Sequence, residues 1–207
     1  MFNWLTQFPR QHGVYVAAAP TPAHEAFAQA YLRVRQREGR VYDDATLRHL
    51  PPISPQHPLA KEWYARAESA ERLVRHLRHK IAAATSLRLL DIGCGNGWLS
   101  HTLAQSLPNS VVVGLDINLP ELNQAARVFA AVPNLAFVYG ESNNLLPVAR
   151  FDVIVVASAA QYFADLPAQV RVWRNLLAPH GEIHLLDSPF YPKSQLASAQ
   201  AATRRYY

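Results

Sequence analysis

Five short apolar segments recur along the second half of the chain, with polar and helix-forming sequence between most of them. They are LRLLDI from Leu87, VVVGLD (111–116), LAFVY (135–139), FDVIVVAS (151–158) and GEIHLLD (181–187). Segments this short and apolar are typical of strands buried on both faces of a sheet. Helical periodicity at 98–107, 119–131 and 167–177 separates them. The pattern predicts an α/β fold, a doubly wound parallel sheet of about five strands with helices on both faces.

The first 58 residues differ in composition from the rest. They contain seven of the fifteen prolines, and the broken proline run at 51–58 cannot lie inside a helix or a central strand. Thr21 and Pro22 form a typical helix start, and Gly39 provides a helix end. We therefore predict an N-terminal extension over residues 1–58 with one helix.

The remaining residues, 59–207, open with a long helical pattern. Apolar residues recur at steps of three and four from Leu59 to Ile81, which predicts a lead-in helix over 59–84. The whole basic excess of the chain, net +5, lies in residues 1–80, which carry 12 Lys and Arg against 7 Asp and Glu. A solvated helix face explains this most simply, and binding of an anionic partner is the alternative.

A glycine-rich loop, Gly93–Gly97, lies where the first predicted strand turns into the first helix. Ligands of open α/β sheets bind beyond the carboxyl ends of the strands, where glycines allow tight turns and close approach of a ligand. The loop therefore predicts a nucleotide-type ligand. The dinucleotide fingerprint needs a glycine where this chain has Trp98, so a nicotinamide-dependent oxidoreductase is disfavoured.

With Asp91 before it and Asp116 at the next strand end, this loop resembles the first motifs of class I S-adenosylmethionine-dependent methyltransferases. The resemblance covers about residues 87–190 and implies a Rossmann-like fold with S-adenosylmethionine as methyl donor. It implies donor contacts from Asp91, Gly93, Cys94, Gly95, Gly97, Asp116, Ile117, Glu141, Ser142 and Ser158. In this family the acid at Asp116 holds the ribose, the residue at Ile117 packs on adenine, and an acid near Glu141 lies by its amino group.

We expect the methyl acceptor at the ends of the fourth and fifth strands, because these lie across the switch point from a donor held by the first and second strands. There Gln161, Tyr162 and Asp187 are predicted to orient the acceptor or to take its proton. The chain lacks the Asn/Asp-Pro-Pro-Tyr/Phe sequence of enzymes that methylate amino nitrogens of bases, and its single cysteine, Cys94, lies in the donor loop. We predict in-line methyl transfer to a small-molecule or lipid-like acceptor. A donor-binding regulatory module without turnover and an RNA methyltransferase using the basic helix stay open as alternatives.

The lead-in helix is expected to cap the donor pocket with Trp63, Tyr64 or Arg66 at its edge. After Asp187 only 20 residues remain, and 193–207 read as a helix, so the last two strands usual in the family are missing. Either the chain is truncated or its sheet stops at five strands. A homodimer, or an N-terminal strand near 13–18, would cover the open edge beside the fifth strand.

Composition disfavours several other classes of protein and site. A single cysteine leaves no internal disulfide and no cysteine-based metal cluster. The histidines show no metal-ligand spacing along the chain, so no metal is predicted. No apolar run approaches the ~20 residues of a membrane helix, and the N-terminus lacks a secretory pattern. A cytoplasmic protein without a membrane partner is expected.

Overall fold

The computed structural model of the protein describes residues 2–81, 86–146 and 150–206, with side chains described up to residue 202. The strands in these ranges are β1 (Arg10–Gln11), β2 (Val14–Val16), β3 (Arg88–Ile92), β4 (Val111–Asp116), β5 (Leu135–Tyr139), β6 (Phe151–Ala157) and β7 (Leu177–Leu186). The α-helices are α1 (Pro22–Arg37), α2 (Asp44–His49), α3 (Ala60–Ile81), α4 (Trp98–Ser106), α5 (Leu119–Val128), α6 (Leu166–Leu176) and α7 (Leu196–Tyr206).

The strands form one sheet in the order β1-β2-β5-β4-β3-β6-β7. Every neighbouring pair is parallel except β1 and β2. The predicted α/β class and parallel sheet are confirmed, and β3 to β7 are the five predicted strands. The described residues contain two more strands than predicted, both from the N-terminal extension.

The position predicted for the N-terminal strand is wrong. Strand β2 pairs with β5, through Tyr15 opposite Val138, at the edge of the sheet opposite to β7. Contacts with α5 explain this placement: Val14 is fully buried, and a Cβ on Gly13 would lie 3.2 Å from Ala126. The outer edge of β7 has no strand partner among the described residues. A homodimer through that edge stays a prediction.

One face of the sheet packs against α3, α4 and α5. Helix α3 is fixed there by Trp63, which is 2% exposed. Its ring meets Trp98 edge to face at 5.2 Å, and its Nε1–H donates to the Tyr42 hydroxyl at 2.7 Å. An amphipathic stripe such as the one on α3 is buried by packing of this kind. The predicted end of this helix, at 84, lies outside the described residues.

The other face packs against α6 and, unexpectedly, the first residues of the chain. Asn3–Gln7 form a 3-10 helix that buries Leu5 completely, and the Trp4 ring contacts Phe151 at 5.8 Å. In its described residues, which exclude 147–149, the link from β5 to β6 carries only a short 3-10 turn, Ser142–Leu145. The N-terminal extension is therefore packed on the sheet, and it contains α2 in addition to the one predicted helix.

Candidate active site

The donor loop follows β3 and is tied to the end of β4. Gly93, Gly95 and Gly97 all have positive φ, at 70°, 52° and 76°, a region that residues with a Cβ rarely adopt. The N–H groups of Gly93 and Cys94 donate to the Leu115 carbonyl at 2.8 and 3.2 Å. A Cβ on Gly93 would lie 2.6 Å from the Ala159 side chain. The loop thus needs its glycines both for conformation and for space.

Asp116 stands at the carboxyl end of β4 and supports this loop. Its Oδ2 accepts the Gly95 N–H at 2.7 Å, and its Oδ1 accepts the Asn118 N–H at 2.8 Å. Burial raises the pKa of Asp116, and these backbone hydrogen bonds oppose the rise. A carboxylate has about four acceptor positions, so each oxygen keeps capacity for a further donor. Ile117, next in sequence, is half-buried beside it.

Two further carboxyl groups lie close behind the loop. Asp91 is 1% exposed and accepts the Ser100 Oγ–H at 2.6 Å. Burial raises the pKa of Asp91 to about 7, against the Ser100 hydrogen bond and with a contribution from the Asp116 charge. Burial and the Asp116 charge likewise raise the pKa of Glu121, in the first turn of α5, to about 7. The Asp91 side chain is therefore directed to the Ser100 hydroxyl in the first turn of α4.

Helix α1 covers the carboxyl ends of β5 and β6, which the sequence did not predict. The His24 Nδ1 lies 3.1 Å from the Tyr139 hydroxyl, and its Nε2 lies 3.1 Å from Glu141 Oε1. Phe27 and Tyr31 lie one and two turns after His24 on α1. Both rings meet the Tyr162 ring edge to face, with ring centres 5.9 and 5.7 Å apart. The aromatic trio Phe27, Tyr31 and Tyr162 joins α1 to the loop after β6.

The expectation that α3 caps the donor pocket with Trp63, Tyr64 or Arg66 at its edge stays a prediction for Arg66 alone. Trp63 is buried in the core, and Tyr64 is 75% exposed. An apolar stripe shows that a helix packs, but it does not show against which surface. Arg66 does lie near the strand ends: burial lowers its pKa, and the Glu62 and Asp187 charges oppose that effect.

Arg35, at the last turn of α1, faces the acidic group behind the loop. Its positive charge opposes the rise in the Glu121 pKa, and its guanidinium lies 5.5 Å from the Tyr31 ring centre. Its Nε is buried and has no hydrogen-bond partner in the described parts of the chain. Basic residues in the last turn of a helix are common, so no sequence signal separates Arg35 from a solvated arginine.

Of the other residues predicted to contact the donor, two lie at strand ends and two are buried. Glu141 lies at the strand end beside His24, and Ser158 follows β6 with a φ of 52°. Ser142, by contrast, is buried and donates its Oγ–H to Gln169 Oε1 at 3.4 Å, towards α6. Cys94 is buried, and its pKa is raised by burial and by the nearby carboxylates, which disfavours a thiolate nucleophile.

The predicted acceptor residues do not form a single cluster. The Tyr162 ring contacts Phe27 of α1 but is 44% exposed, and Gln161 donates its Nε2–H back to the Ser158 carbonyl at 2.7 Å. Asp187 is exposed at the side of α3, where it accepts the Ser69 Oγ–H at 2.7 Å. Ser158 and Asp187 stand at the ends of the neighbouring strands β6 and β7, and both are non-glycine residues with positive φ. Strained backbone of this kind concentrates at functional sites.

Comparisons with known proteins agree with this geometry. Residues 90–183 match the family model described as "Methyltransferase domain". Malonyl-[acyl-carrier protein] O-methyltransferase of Halalkalibacterium halodurans is 32% identical over 138 residues, which are 62% of this chain and 49% of that protein. Ribosomal RNA small subunit methyltransferase G of Cupriavidus pinatubonensis is 28% identical over 176 residues, 84% of this chain and 71% of that protein.

Solved structures support the fold. The YcgJ protein from Bacillus subtilis has a TM-score of 0.51 and 21% identity, with 68% of each chain covered. The chain spans about half or less of the length of the first curated relatives it matches. No helix in the described ranges combines the length and the apolar character needed to cross a membrane. As its sequence motifs predict, residues 90–183 of the chain match a methyltransferase domain.

Proposed function

We propose that this chain binds S-adenosylmethionine against the loop Gly93–Gly97 and catalyses methyl transfer to an oxygen atom of a small-molecule acceptor. The observation that carries the proposal is the Asp116 carboxylate at the end of β4, which holds the Gly95 N–H at 2.7 Å and keeps acceptor capacity for ribose hydroxyls. Charge-assisted hydrogen bonds of this type are stronger than neutral ones.

The charge of the site suits a cationic ligand. Asp91, Asp116 and Glu121 have raised pKa values because they are buried, and the Asp116 charge adds to the effect on the other two. None of the three forms a salt bridge with a cationic side chain in the described ranges. When bound, S-adenosylmethionine supplies a methyl group activated on a positively charged sulfur. Placing that charge near the three carboxyl groups would offset their mutual repulsion.

Helix α1 serves in this proposal as the cover of the donor. The aromatic trio would exclude water from the strand ends, which strengthens electrostatic interactions inside the site. Burial raises the pKa of the Tyr31 phenol well above its usual value, so Tyr31 stays protonated and able to donate a hydrogen bond. His24 and Glu141 would close the end of the site beyond β5.

The acceptor would lie over the ends of β6 and β7, on Tyr162, Gln161 and Asp187. The chain's task there is to hold the acceptor oxygen in line with the bond that breaks, and positioning alone can supply roughly 7–11 kcal/mol in well-oriented cases. Asp187 would take the acceptor proton where one must leave, and the Tyr162 hydroxyl would orient the acceptor. The name of the first curated relative, an O-methyltransferase that acts on a malonyl group, supports an oxygen acceptor.

Binding and turnover test separate parts of the proposal. Calorimetry with S-adenosylmethionine, S-adenosylhomocysteine, NAD and NADP should show binding of the first two compounds alone. Turnover on a panel of carboxylic acids and phenols should then fall in Tyr162→Phe and Asp187→Asn with nearly unchanged donor affinity, and Tyr64→Phe, on the exposed face of α3, is the matched control. Donor binding without turnover on any acceptor would support a regulatory module instead.

RNA is the second candidate acceptor, for two reasons. The match to a ribosomal RNA methyltransferase covers 84% of this chain, and α3 carries the exposed arginines Arg72, Arg75 and Arg78. Such a basic stripe can bind phosphates with a strong dependence on salt. Methylation of ribosomal RNA that is lost in a triple Arg→Glu variant, while donor affinity is kept, would favour this candidate over a small molecule.

A further inference from the structure

A cluster of three potential metal ligands lies between α3 and β7, away from the donor loop. The His76 Nε2 is 2.8 Å from Glu182 Oε2, and the His184 Nε2 is 3.1 Å from the same oxygen. All three ligand atoms lie within 4.8 Å of one another. The sequence predicted no metal site, because 106 residues separate His76 from Glu182 and only the fold brings them together.

The local structure explains why these side chains converge. Glu182 and His184 are two residues apart on β7, so both point to the face of the sheet that α3 covers. Ile183 and Leu185 alternate with them and pack into the core of the opposite face. On α3, His76 lies two turns after Ser69, which contacts Asp187 just beyond the end of β7. One stripe of α3 thus faces one face of β7.

The donor atoms and their spacing suit a borderline divalent ion. Zinc binds imidazole nitrogens and carboxylate oxygens at about 2.0–2.2 Å, so neighbouring ligands in a tetrahedral site lie about 3.4 Å apart. The two nitrogen–oxygen distances need to lengthen only by a few tenths of an ångström to reach that value. His76 can follow such a change because its side chain is 53% exposed. Three protein ligands leave a fourth position for water.

A second layer of contacts holds the carboxylate in place. The Lys80 Nζ donates to the other oxygen of Glu182, Oε1, at 2.8 Å and to the His180 carbonyl at 3.1 Å. The two oxygens of Glu182 therefore have different partners, the histidines on one and the lysine on the other. Outer contacts that orient a ligating carboxylate in this way are a regular feature of metal sites.

We propose that His76, Glu182 and His184 form a zinc site that fastens helix α3 to strand β7. The ion stabilises the pairing of the lead-in helix with the strand at the open edge of the sheet. Because Ser69 and Asp187 meet at the end of the same helix–strand contact, the ion also holds Asp187 in its position at the side of α3. Its role is structural, and it acts on the proposed acceptor site only through the position of Asp187.

Zinc binding to the full chain tests the site directly. Equilibrium dialysis against zinc, with metal analysis, should give one ion per chain for the wild type. His76→Ala and His184→Ala should each weaken zinc affinity by about tenfold or more. Even the loss of a residue that only contacts a metal ligand lowers metal affinity by about 10–100-fold. His79→Ala is the matched control, because His79 is an exposed histidine on the same helix outside the cluster.

Two further readouts separate a built site from scattered histidine binding. Cobalt in place of zinc should show the visible absorption of a four-coordinate ion in the wild type and in His79→Ala, but not in His76→Ala. Zinc should raise the thermal midpoint in the same two proteins alone. Equal zinc affinity in His76→Ala and His79→Ala, or no stoichiometric binding by the wild type, would overturn the proposal. If His184→Ala does not fold, His76→Ala decides, because His76 is largely exposed.

Discussion

The carboxyl groups behind the donor loop and the carboxyl group of Glu182 differ in their electrostatic surroundings. Burial and the Asp116 charge raise the pKa values of Asp91 and Glu121 to about 7. The pKa of Glu182 is lowered to about 2, because Lys80 and His76 donate hydrogen bonds to it, with a smaller contribution from His184. All three carboxyl groups lie on one α/β domain, yet one region concentrates negative charge and the other neutralises it.

This contrast distinguishes the acids behind the donor loop, which are suited to binding a ligand, from Glu182, which belongs to the structural contact between α3 and β7. Buried acids that cluster without a salt bridge destabilise a fold unless something binds them, and such groups concentrate at functional sites. Glu182 has side-chain partners on α3 and on its own strand, so its charge is balanced within the chain. A donor with a positive charge would complete the first region, whereas in the second the proposed zinc ion would strengthen a helix–strand contact that already exists.

The largest expected effect comes from filling the space between the loop and the acids. A Cβ on Gly95 would lie 3.1 Å from Glu121 Oε2, so Gly95→Val should weaken S-adenosylmethionine binding about a hundredfold or more, measured by calorimetry. Gly39→Val is the control: Gly39 also has positive φ, but nothing lies within 4 Å of its Cβ position. Both variants carry a conformational cost of about 1–2 kcal/mol. Equal donor affinity in the two would contradict the site.

Asp116→Ala should have the next largest effect. Loss of a charged hydrogen-bond partner costs about 1.5–3 kcal/mol, which weakens donor binding roughly 10- to 150-fold. Asp152→Ala is matched to it, since Asp152 Oδ2 also accepts a backbone N–H, from Arg88 at 2.7 Å, but at the opposite ends of the strands. A change below threefold in Asp116→Ala would show that Asp116 does not hold the donor.

The sequence predicted the parts of the site that depend on local order. Strand and helix patterns alternate along the sequence, so the sequence alone locates the five parallel strands, the glycine loop and Asp116 at a strand end. The positive φ of Gly93 and the contact from Asp116 to Gly95 follow from that motif. The glycine loop and Asp116 directly follow the strands that position them, so the periodicity and the motif spacing are sufficient to locate them in the fold.

Contacts between distant segments could not be predicted in the same way. His24 meets Glu141 across 117 residues, and nothing in the spacing of α1 marks it as the cover of the strand ends. Glu121 reads as an ordinary acid in the first turn of a helix. The stripe of α3 predicts a buried face but not its partner, so the sequence does not show which of Trp63, Tyr64 and Arg66 lies in the core and which at the pocket edge. Packing between elements decided these positions.

The pH dependence of stability tests the raised pKa of Asp91. Between about pH 4 and pH 7 folded Asp91 keeps a proton that the unfolded chain releases, so the free energy of unfolding falls as pH rises, by up to about 1.4 kcal/mol per pH unit. Asp91→Asn removes the titration and should flatten this slope in urea unfolding. Asp43→Asn should leave the slope between pH 5 and pH 7 unchanged, because its pKa is lowered by hydrogen bonds from Thr46. An unchanged slope in Asp91→Asn would mean that Asp91 is ionised at neutral pH.

The smallest expected effect distinguishes a charge interaction from simple contact. S-adenosylmethionine carries a positive sulfur that S-adenosylhomocysteine lacks, so an ionised Glu121 should favour the first compound over the second. Glu121→Gln keeps the shape of the side chain and should reduce that preference about threefold, or about 0.6 kcal/mol. Because the pKa of Glu121 is about 7, the difference between wild type and variant should be larger at pH 8 than at pH 6. Glu141→Gln, at the exposed end of the site, should change both affinities equally. A preference that is the same in wild type and Glu121→Gln at both pH values would show that the acids behind the loop do not recognise the donor's charge.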